Sequence, residues 1–311
     1  MDDDILVVII SGKRPGGERA RPTERLSTKH PRIIVSNNSN GYITTIPIVN
    51  VPEEYKKWYI ENHKNSENAW FAPMNRSYAI KYAKELGYRY LVQLDDNIIQ
   101  LQIAFLDAKK GRRFRAHITN KPNALDDFIN AYKVTLENTN AAMVGCTLSG
   151  TAIPCTYLWR EGYVYSLFML DLERCPEIFH GDFEDDIEYR LKCAQMGRPV
   201  IQLPWLMYGK VGQGKNTDLS GCRAEYAKAG MMRGENMRKL YAETYSCKMT
   251  HKRHRTTAEE EQDAMYFKHQ LKPIRVGVLT HDKEAIRRCA IELFAKYKKK
   301  QEDKCVVKVK K

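Results

Sequence analysis

The 311-residue chain lacks the patterns that identify several common classes of protein. Its eight cysteines include no Cys-x-x-Cys pair, so we expect reduced thiols and no zinc site. No run of about 18 apolar residues occurs, and we expect no transmembrane helix and no membrane partner. The acidic start, Met1–Asp4, leads directly into an apolar run and is unlike a signal peptide. These absences predict a cytoplasmic protein.

Familiar nucleotide-binding loops are also missing. The chain has neither a Walker A loop nor Gly-x-Gly-x-x-Gly, and it has no internal repeat or low-complexity linker. Its composition is 43% hydrophobic, which is enough for one large domain or for a domain with an extension.

The net charge of +13 favours a polyanionic partner such as nucleic acid. A basic enzyme whose lysines are simply solvated would show the same balance. Charge alone leaves both interpretations open.

Strands and helices alternate along the chain with short links. Ile5–Ile10 is a continuous apolar run typical of a buried parallel strand. A helical pattern from Pro73 to Leu86 ends at Gly87, and the strand Tyr90–Leu94 follows. This order predicts an α/β fold with a mostly parallel sheet flanked by helices. We also expect strands over 32–36, 45–51, 142–148, 162–172, 200–204 and 275–279, and helices over 53–62, 126–138, 182–196 and 283–298.

The composition changes near residue 246, after which the chain is rich in lysine and arginine. We therefore predict two parts, residues 1–245 as the α/β domain and 246–311 as a basic C-terminal extension.

An acidic cluster directly follows the strand that ends at Leu94. Asp95, Asp96 and Asn97 would lie at the carboxyl edge of the sheet, where ligands bind in α/β folds. Hard oxygen ligands grouped there suit Mg²⁺ or Mn²⁺ holding a diphosphate. The alternative is a polar turn, which Asp and Asn also favour.

A second acidic cluster opens a helical pattern. Asp182, Glu184, Asp185 and Asp186 exceed what capping of a helix requires, and their mutual repulsion raises carboxylate pKa values. This suits a general base, for which Asp185 is the first candidate and Asp186 the competitor. Arg190 has the spacing to pair with one of these acids.

Two further segments are candidates for contact with a nucleotide. Ser11, Lys13 and Arg14 stand in a glycine- and proline-rich basic loop after the first strand, and Asn75 and Arg76 stand near a helix start. An ordinary solvated turn and a surface arginine are the alternatives.

A set of basic residues could contact the phosphates of a nucleic-acid acceptor, or one histidine could complete a metal shell. For any single member, a solvated side chain is the simpler interpretation. The set consists of Lys210, Lys215, His251, Lys252, Arg253, His254 and Arg255.

The motifs in this order, over residues 5 to 210, resemble the GT-A glycosyltransferases, especially the inverting family-2 type. The resemblance implies that Asp95 contacts the nucleoside, that position 97 binds the metal, and that Asp185, preceded by Glu184, deprotonates the acceptor hydroxyl. Position 97 departs from the family pattern because it is Asn, which brings no charge. Asp96 could then take the metal-binding role.

The chain resembles more narrowly the TET-associated, phage-type glycosyltransferases. It does so in the segment Asp95–Ile98, in its basic charge and in its lack of a membrane segment. That resemblance implies metal-dependent transfer of a hexose from a UDP-sugar to 5-hydroxymethylcytosine in DNA, with inversion, in the host cytoplasm. A base reached within a duplex must be flipped out, and aromatic residues could stack on it. Those aromatics are Tyr157, Trp159, Tyr163 and Tyr165.

Three alternatives stay open. The acceptor could be a saccharide, a lipid or a protein. The chain could be a nucleotidyltransferase, although that class does not need a base such as Asp185. It could also be an inactive nucleic-acid-binding protein of the same fold, which Asn97 favours.

Overall fold

A computed structural model describes residues 4–63, 71–107, 112–149, 157–180, 184–211, 232–251, 265–271 and 276–309. The strands are β1 (Ile5–Ser11), β2 (Arg32–Ser36), β3 (Ile48–Asn50), β4 (Tyr90–Asp95), β5 (Ile98–Asp107), β6 (Arg112–His117), β7 (Met143–Leu148), β8 (Arg160–Glu161), β9 (Leu167–Asp171), β10 (Val200–Lys210), β11 (Tyr245–His251) and β12 (Met265–Leu271). The helices are α1 (Glu53–His63), α2 (Phe71–Glu85), α3 (Ala124–Glu137), α4 (Asp185–Gln195), α5 (Met232–Leu240) and α6 (Lys283–Val309).

The central sheet has the strand order β3-β2-β1-β4-β9-β7-β10-β5-β6, and β8 pairs with β10. Strands β1 to β4 are parallel, as are β7 and β10. Strands β5, β8 and β9 run in the opposite direction to these. The predicted α/β architecture, in which most strands of the sheet share one direction, is present.

Both faces of the sheet are covered, which explains the continuous apolar sequence of β1. Val7 belongs to a core on one face that includes residues of α3 and α6. Val8 belongs to a core on the other face that includes residues of α1 and α2. Since successive side chains of a strand point to opposite faces, every residue of β1 is buried.

The last helix packs on the main domain. Cys289 and Leu293 of α6 lie in the same core as residues of α3. Lys296 Nζ also lies 2.7 Å from Asp127 Oδ1 of α3. Strands β11 and β12 form a separate two-stranded sheet. The division at residue 245 stays a prediction, but the α6 end of the predicted extension shares the core of the α/β domain.

The predicted elements and the structure differ at several positions. Residues 276–279 form no strand, and the strand predicted over 162–172 is reduced to β9. Ser166, directly before β9, has a φ of 51°, which lies outside the extended region and excludes it from the strand. The antiparallel pair β5–β6 was not predicted. Gly87 and Gly197, with φ of 79° and 67°, end α2 and α4 as expected.

Among the described cysteines, Cys146, Cys175, Cys193, Cys247 and Cys289 are free thiols. Within the described residues, no helix combines the length and the apolar character needed to cross a membrane.

Candidate functional site

The carboxyl ends of β1 and β4 bring the first acidic cluster against the basic loop. The two strands are parallel neighbours, with Ile10 opposite Asp95. Ser11 Oγ donates a hydrogen bond of 2.6 Å to Asp96 Oδ2, and Arg14 Nη1 lies 3.0 Å from Asp96 Oδ1. Burial raises the pKa of Asp96 to about 6, although Arg14 and Ser11 partly oppose this shift.

The buried residue Arg21 contacts the basic loop that follows β1. Arg21 donates to the backbone carbonyl of Arg14, and its guanidinium carbon lies 4.0 Å from the centre of the Tyr42 ring. Tyr42 Oη is in turn 2.8 Å from Ser11 Oγ. Lys13 has a φ of 55°, a conformation that is unusual for a residue with a side chain. The contacts with Arg21 and Tyr42 therefore fix the backbone path of this loop.

Asp95 is bound by two cations. Arg76 Nη2 lies 2.5 Å from Asp95 Oδ1, and Lys210 Nζ lies 2.5 Å from Asp95 Oδ2. Burial alone would raise the pKa of Asp95, but the charges of Lys210 and Arg76 outweigh it and lower that pKa below its usual range. Asp95 is therefore ionised at neutral pH.

Arg76 joins the two acidic clusters that the sequence analysis identified. Its Nε lies 3.3 Å from Asp185 Oδ2. Arg76 is buried, donates to Gln93 Oε1 at 3.3 Å, and lies over the ring of Phe168. The structure thus brings Asp95 and Asp185 together around one cation, and Arg76 faces carboxylates.

Asn75 supports the loop after β1. Its Nδ2 donates to the Ser11 carbonyl at 2.8 Å and to Asn37 Oδ1 at 3.2 Å. Its Oδ1 is buried without a hydrogen-bond partner in the structure. Contact of Asn75 with a nucleotide stays a prediction.

The start of α4 carries the second cluster. Glu184 is the N-cap residue but makes no side-chain capping hydrogen bond, while Asp186 Oδ1 accepts the Ile187 backbone N–H at 2.8 Å. Burial raises the pKa of both Asp185 and Asp186. The neighbouring acids, including Glu184, add to both shifts, and Arg76 partly opposes them. Asp182 lies outside the described residues.

The surroundings of Asp95, Asp96 and Asn97 do not fit the divalent ion expected from the sequence. Each carboxylate oxygen of the two aspartates already faces a cation or a hydroxyl donor. Asn97 Oδ1 is buried without a hydrogen-bond partner and is the one uncommitted oxygen of the three side chains. In the described ranges, no group of three or more His, Cys, Asp and Glu side chains is placed to hold a metal ion. The metal ion stays a prediction that these contacts do not favour.

Two of the four aromatic residues lie beside the second acidic cluster. Tyr163 and Tyr165 are stacked with ring centres 6.2 Å apart and pack against the cluster that contains Ile187, the residue after Asp186. Burial raises the pKa of both phenols, and the charge of Asp186 adds to this shift. Arg190 lies over the Tyr163 ring at 4.5 Å, where it was expected to pair with an acid. Tyr157 is exposed. Trp159 packs against the hydrophobic core, which indicates a structural role.

The structure describes two members of the predicted basic set, Lys210 and His251. Lys210 contacts Asp95 and so belongs to the site. His251 ends β11. Lys215 and the cluster Lys252–Arg255 lie outside the described residues.

Two residues of the site, Thr23 and Gln93, were not predicted from the sequence. Thr23 Oγ1 donates to the Asp95 carbonyl at 2.6 Å and accepts the Ile98 backbone N–H at 2.8 Å, so it holds both sides of the acidic turn. Gln93 positions Arg76. A polar residue within the buried run Leu91–Leu94 was the available signal for Gln93, while no local signal marks Thr23.

Comparisons with known proteins add little to this geometry. No protein-family model and no curated protein matches the chain. Among the solved structures similar to this chain is one from Desulfovibrio desulfuricans G20, which is provisionally described as a nucleotide-diphospho-sugar transferase. It is 11% identical over 73% of this chain and 95% of its own, with a TM-score of 0.35. Such a likeness is too weak to support a function, which must be argued from the site.

Proposed function

We propose that the protein is a glycosyltransferase that moves a hexose from a UDP-sugar to a hydroxyl group. The observation that carries this proposal is the position of Arg76 between Asp95 and Asp185. One carboxylate ends a strand at the edge of the sheet where nucleotides bind, and the other opens a helix beside it. A donor site and a candidate base are therefore adjacent.

The nucleotide would bind at the carboxyl ends of β1 and β4. The side chains of Lys13 and Arg14, in the loop after β1, would bring positive charge to the diphosphate, and Asp95 would contact the nucleoside. Support comes from the path of this loop, which packs against Tyr42 and Arg21 and brings Arg14 to Asp96.

Asp185 would act as the general base. The acceptor hydroxyl gives its proton to the Asp185 carboxylate as its oxygen attacks the anomeric carbon. The bond from that carbon to the β-phosphate oxygen breaks, the electron pair leaves with UDP, and attack from the opposite face inverts the anomeric centre. A raised pKa brings Asp185 closer to the operating pH, which favours proton acceptance.

We propose the hydroxymethyl group of 5-hydroxymethylcytosine in DNA as the acceptor. The net charge of +13 suits a polyanion. The stacked pair Tyr163 and Tyr165 packs against the cluster that contains Ile187 near the start of α4, so a flipped base that contacts this pair would lie close to the candidate base Asp185.

The test is mass spectrometry of nucleosides from DNA containing 5-hydroxymethylcytosine, after incubation with the protein and pooled UDP-sugars, with and without Mn²⁺. We expect a mass gain of one hexose or N-acetylhexosamine. Asp185→Asn should reduce the rate by ~10²–10⁴-fold, the range for loss of a general base. Glu292→Gln, which removes the same charge at an exposed position of α6, should leave the rate unchanged.

Other results would change the proposal. Release of UDP without a modified nucleoside would keep the transferase and exclude the DNA acceptor. Neither release nor modification, with DNA still bound, would favour the inactive nucleic-acid-binding protein. Equal rates for Asp185→Asn and the wild-type protein would remove Asp185 as the base.

A further inference from the structure

Lys210 reaches the acidic cluster through an irregularity in the sheet. In the antiparallel pair β5–β10, Gly209 lies opposite Gln100 and Lys210 lies opposite Ile98, so Ile99 is an extra residue on β5. Such bulges redirect the side chains next to them. Lys210 consequently lies beside the turn that contains Asp95 and Asn97, and the next residue, Val211, donates its backbone N–H to the Asn97 carbonyl at 3.1 Å.

The charges around this turn disfavour the binding of a metal ion. Asp95 and Asp96 carry two negative charges, and Arg14, Arg76 and Lys210 lie at ion-pair distance from them, with Arg76 shared between Asp95 and Asp185. A divalent ion bound to the same carboxylates would be repelled by all three cations.

Lys210 differs from Arg76 in its access to a ligand. The Lys210 side chain is 29% exposed, whereas that of Arg76 is 8% exposed and lies between two carboxylates. An ammonium group has three N–H donors, and the contact with Asp95 uses one of them. The others can donate to phosphate oxygens without breaking the ion pair that positions the side chain.

We propose that Lys210 supplies the positive charge at the donor diphosphate that a divalent ion would otherwise supply, so that nucleotide binding at this site requires no metal. This inference rests on the proposed function, because it assigns the cation of the same donor site. Lys210 would stabilise the charge that develops on UDP as the sugar leaves, and it would transfer no proton. Asp95 would be a positioning residue for Lys210.

The experiment is calorimetric titration of the full-length protein with UDP and with uridine, in EDTA and in Mn²⁺. We expect UDP to bind in EDTA and its affinity to change little when Mn²⁺ replaces the chelator. Lys210→Met should weaken UDP binding about tenfold or more in EDTA, the effect of losing a hydrogen bond from a charged group. Uridine, which has no phosphate, should bind equally to both proteins.

Two further variants serve as controls. Lys210→Arg keeps the charge and should retain most of the UDP affinity in EDTA. Lys81→Met removes an exposed lysine of α2 and should have no effect.

Each contrary result has a distinct meaning. UDP binding that disappears in EDTA would overturn the role of Lys210 and leave the transferase standing with a metal. UDP binding in EDTA that Lys210→Met does not weaken would also overturn it. No UDP binding under either condition would reject the proposed function, and the inference with it.

Discussion

Arg76 and Asp185 form an ion pair of 3.3 Å that links helix α2 to the start of α4. The same guanidinium contacts Asp95 at the end of β4. One buried cation therefore balances carboxylates from two motifs that lie far apart in the sequence. Its removal would leave both acids without this partner in a site that water reaches poorly.

Replacement of Arg76 should destabilise the fold. We expect Arg76→Met to lower the free energy of unfolding by about 3 kcal/mol, because Asp95 would keep only Lys210 and Asp185 would lose its ion pair. Urea denaturation measures this change. Arg287→Met breaks the exposed pair with Glu284 and should cost less than about 1 kcal/mol. Equal losses for the two variants would contradict a role for Arg76 in balancing the buried charges.

Asp96 should contribute a pH dependence to stability. Its pKa rises from 3.8 to about 6 in the folded protein, so the folded state binds more protons than the unfolded state between these values. The free energy of unfolding should therefore fall as the pH rises through this window and level off above it.

Asp96→Asn removes this titration. The difference in unfolding free energy, variant minus wild type, should increase by about 2.4 kcal/mol between pH 4 and pH 7, since one pKa unit corresponds to about 1.36 kcal/mol and part of the titration lies below pH 4. Chemical denaturation over a series of pH values measures it. Parallel curves for the two proteins would show that Asp96 titrates normally.

Gly12 is required for close packing of the loop after β1. A Cβ atom at this position would lie 2.5 Å from Asn37 Oδ1, which accepts a hydrogen bond from Asn75. We expect Gly12→Ala to cost ~1–3 kcal/mol of stability through overpacking and to weaken UDP binding. Thermal denaturation and calorimetry measure the two effects.

Gly17→Ala is the matched control for this substitution. Its Cβ would meet only the Ile43 carbonyl at 3.5 Å, an ordinary contact. It should leave both stability and UDP binding near wild type. Identical behaviour of the two alanine variants would exclude packing against Asn37 as the reason for glycine at position 12.

The C-terminal helix α6 should unfold together with the main domain. Leu293 is buried in the core shared with α3, and Leu293→Ala should cost ~2–5 kcal/mol in a single cooperative transition. Ile291→Ala, at a residue that is 57% exposed, should change stability by less than about 0.5 kcal/mol. A separate, earlier transition in Leu293→Ala would indicate that the predicted extension unfolds independently of the main domain.

Local sequence patterns were sufficient to predict the part of the sheet in which neighbouring strands are parallel. The apolar run of β1 and the helical period of α2 predict their elements, because strand and helix periodicity are properties of neighbouring residues. Gly87 and Gly197 mark helix ends for a similarly local reason, since their positive φ strains other residues. The acidic motif at Asp95 could be located at the edge of the sheet because it directly follows a buried strand.

The partners of that motif depend on tertiary structure. Lys210 meets Asp95 only because β10 pairs with β5 in a register that contains a bulge, and Arg76 meets Asp185 only because α4 begins beside α2. Register and helix packing are set by contacts between distant segments, which no local pattern encodes. The sequence alone therefore determined where the carboxylates stand in the chain. Only the folded structure decided which cations neutralise them, because that depends on which distant segments pack together.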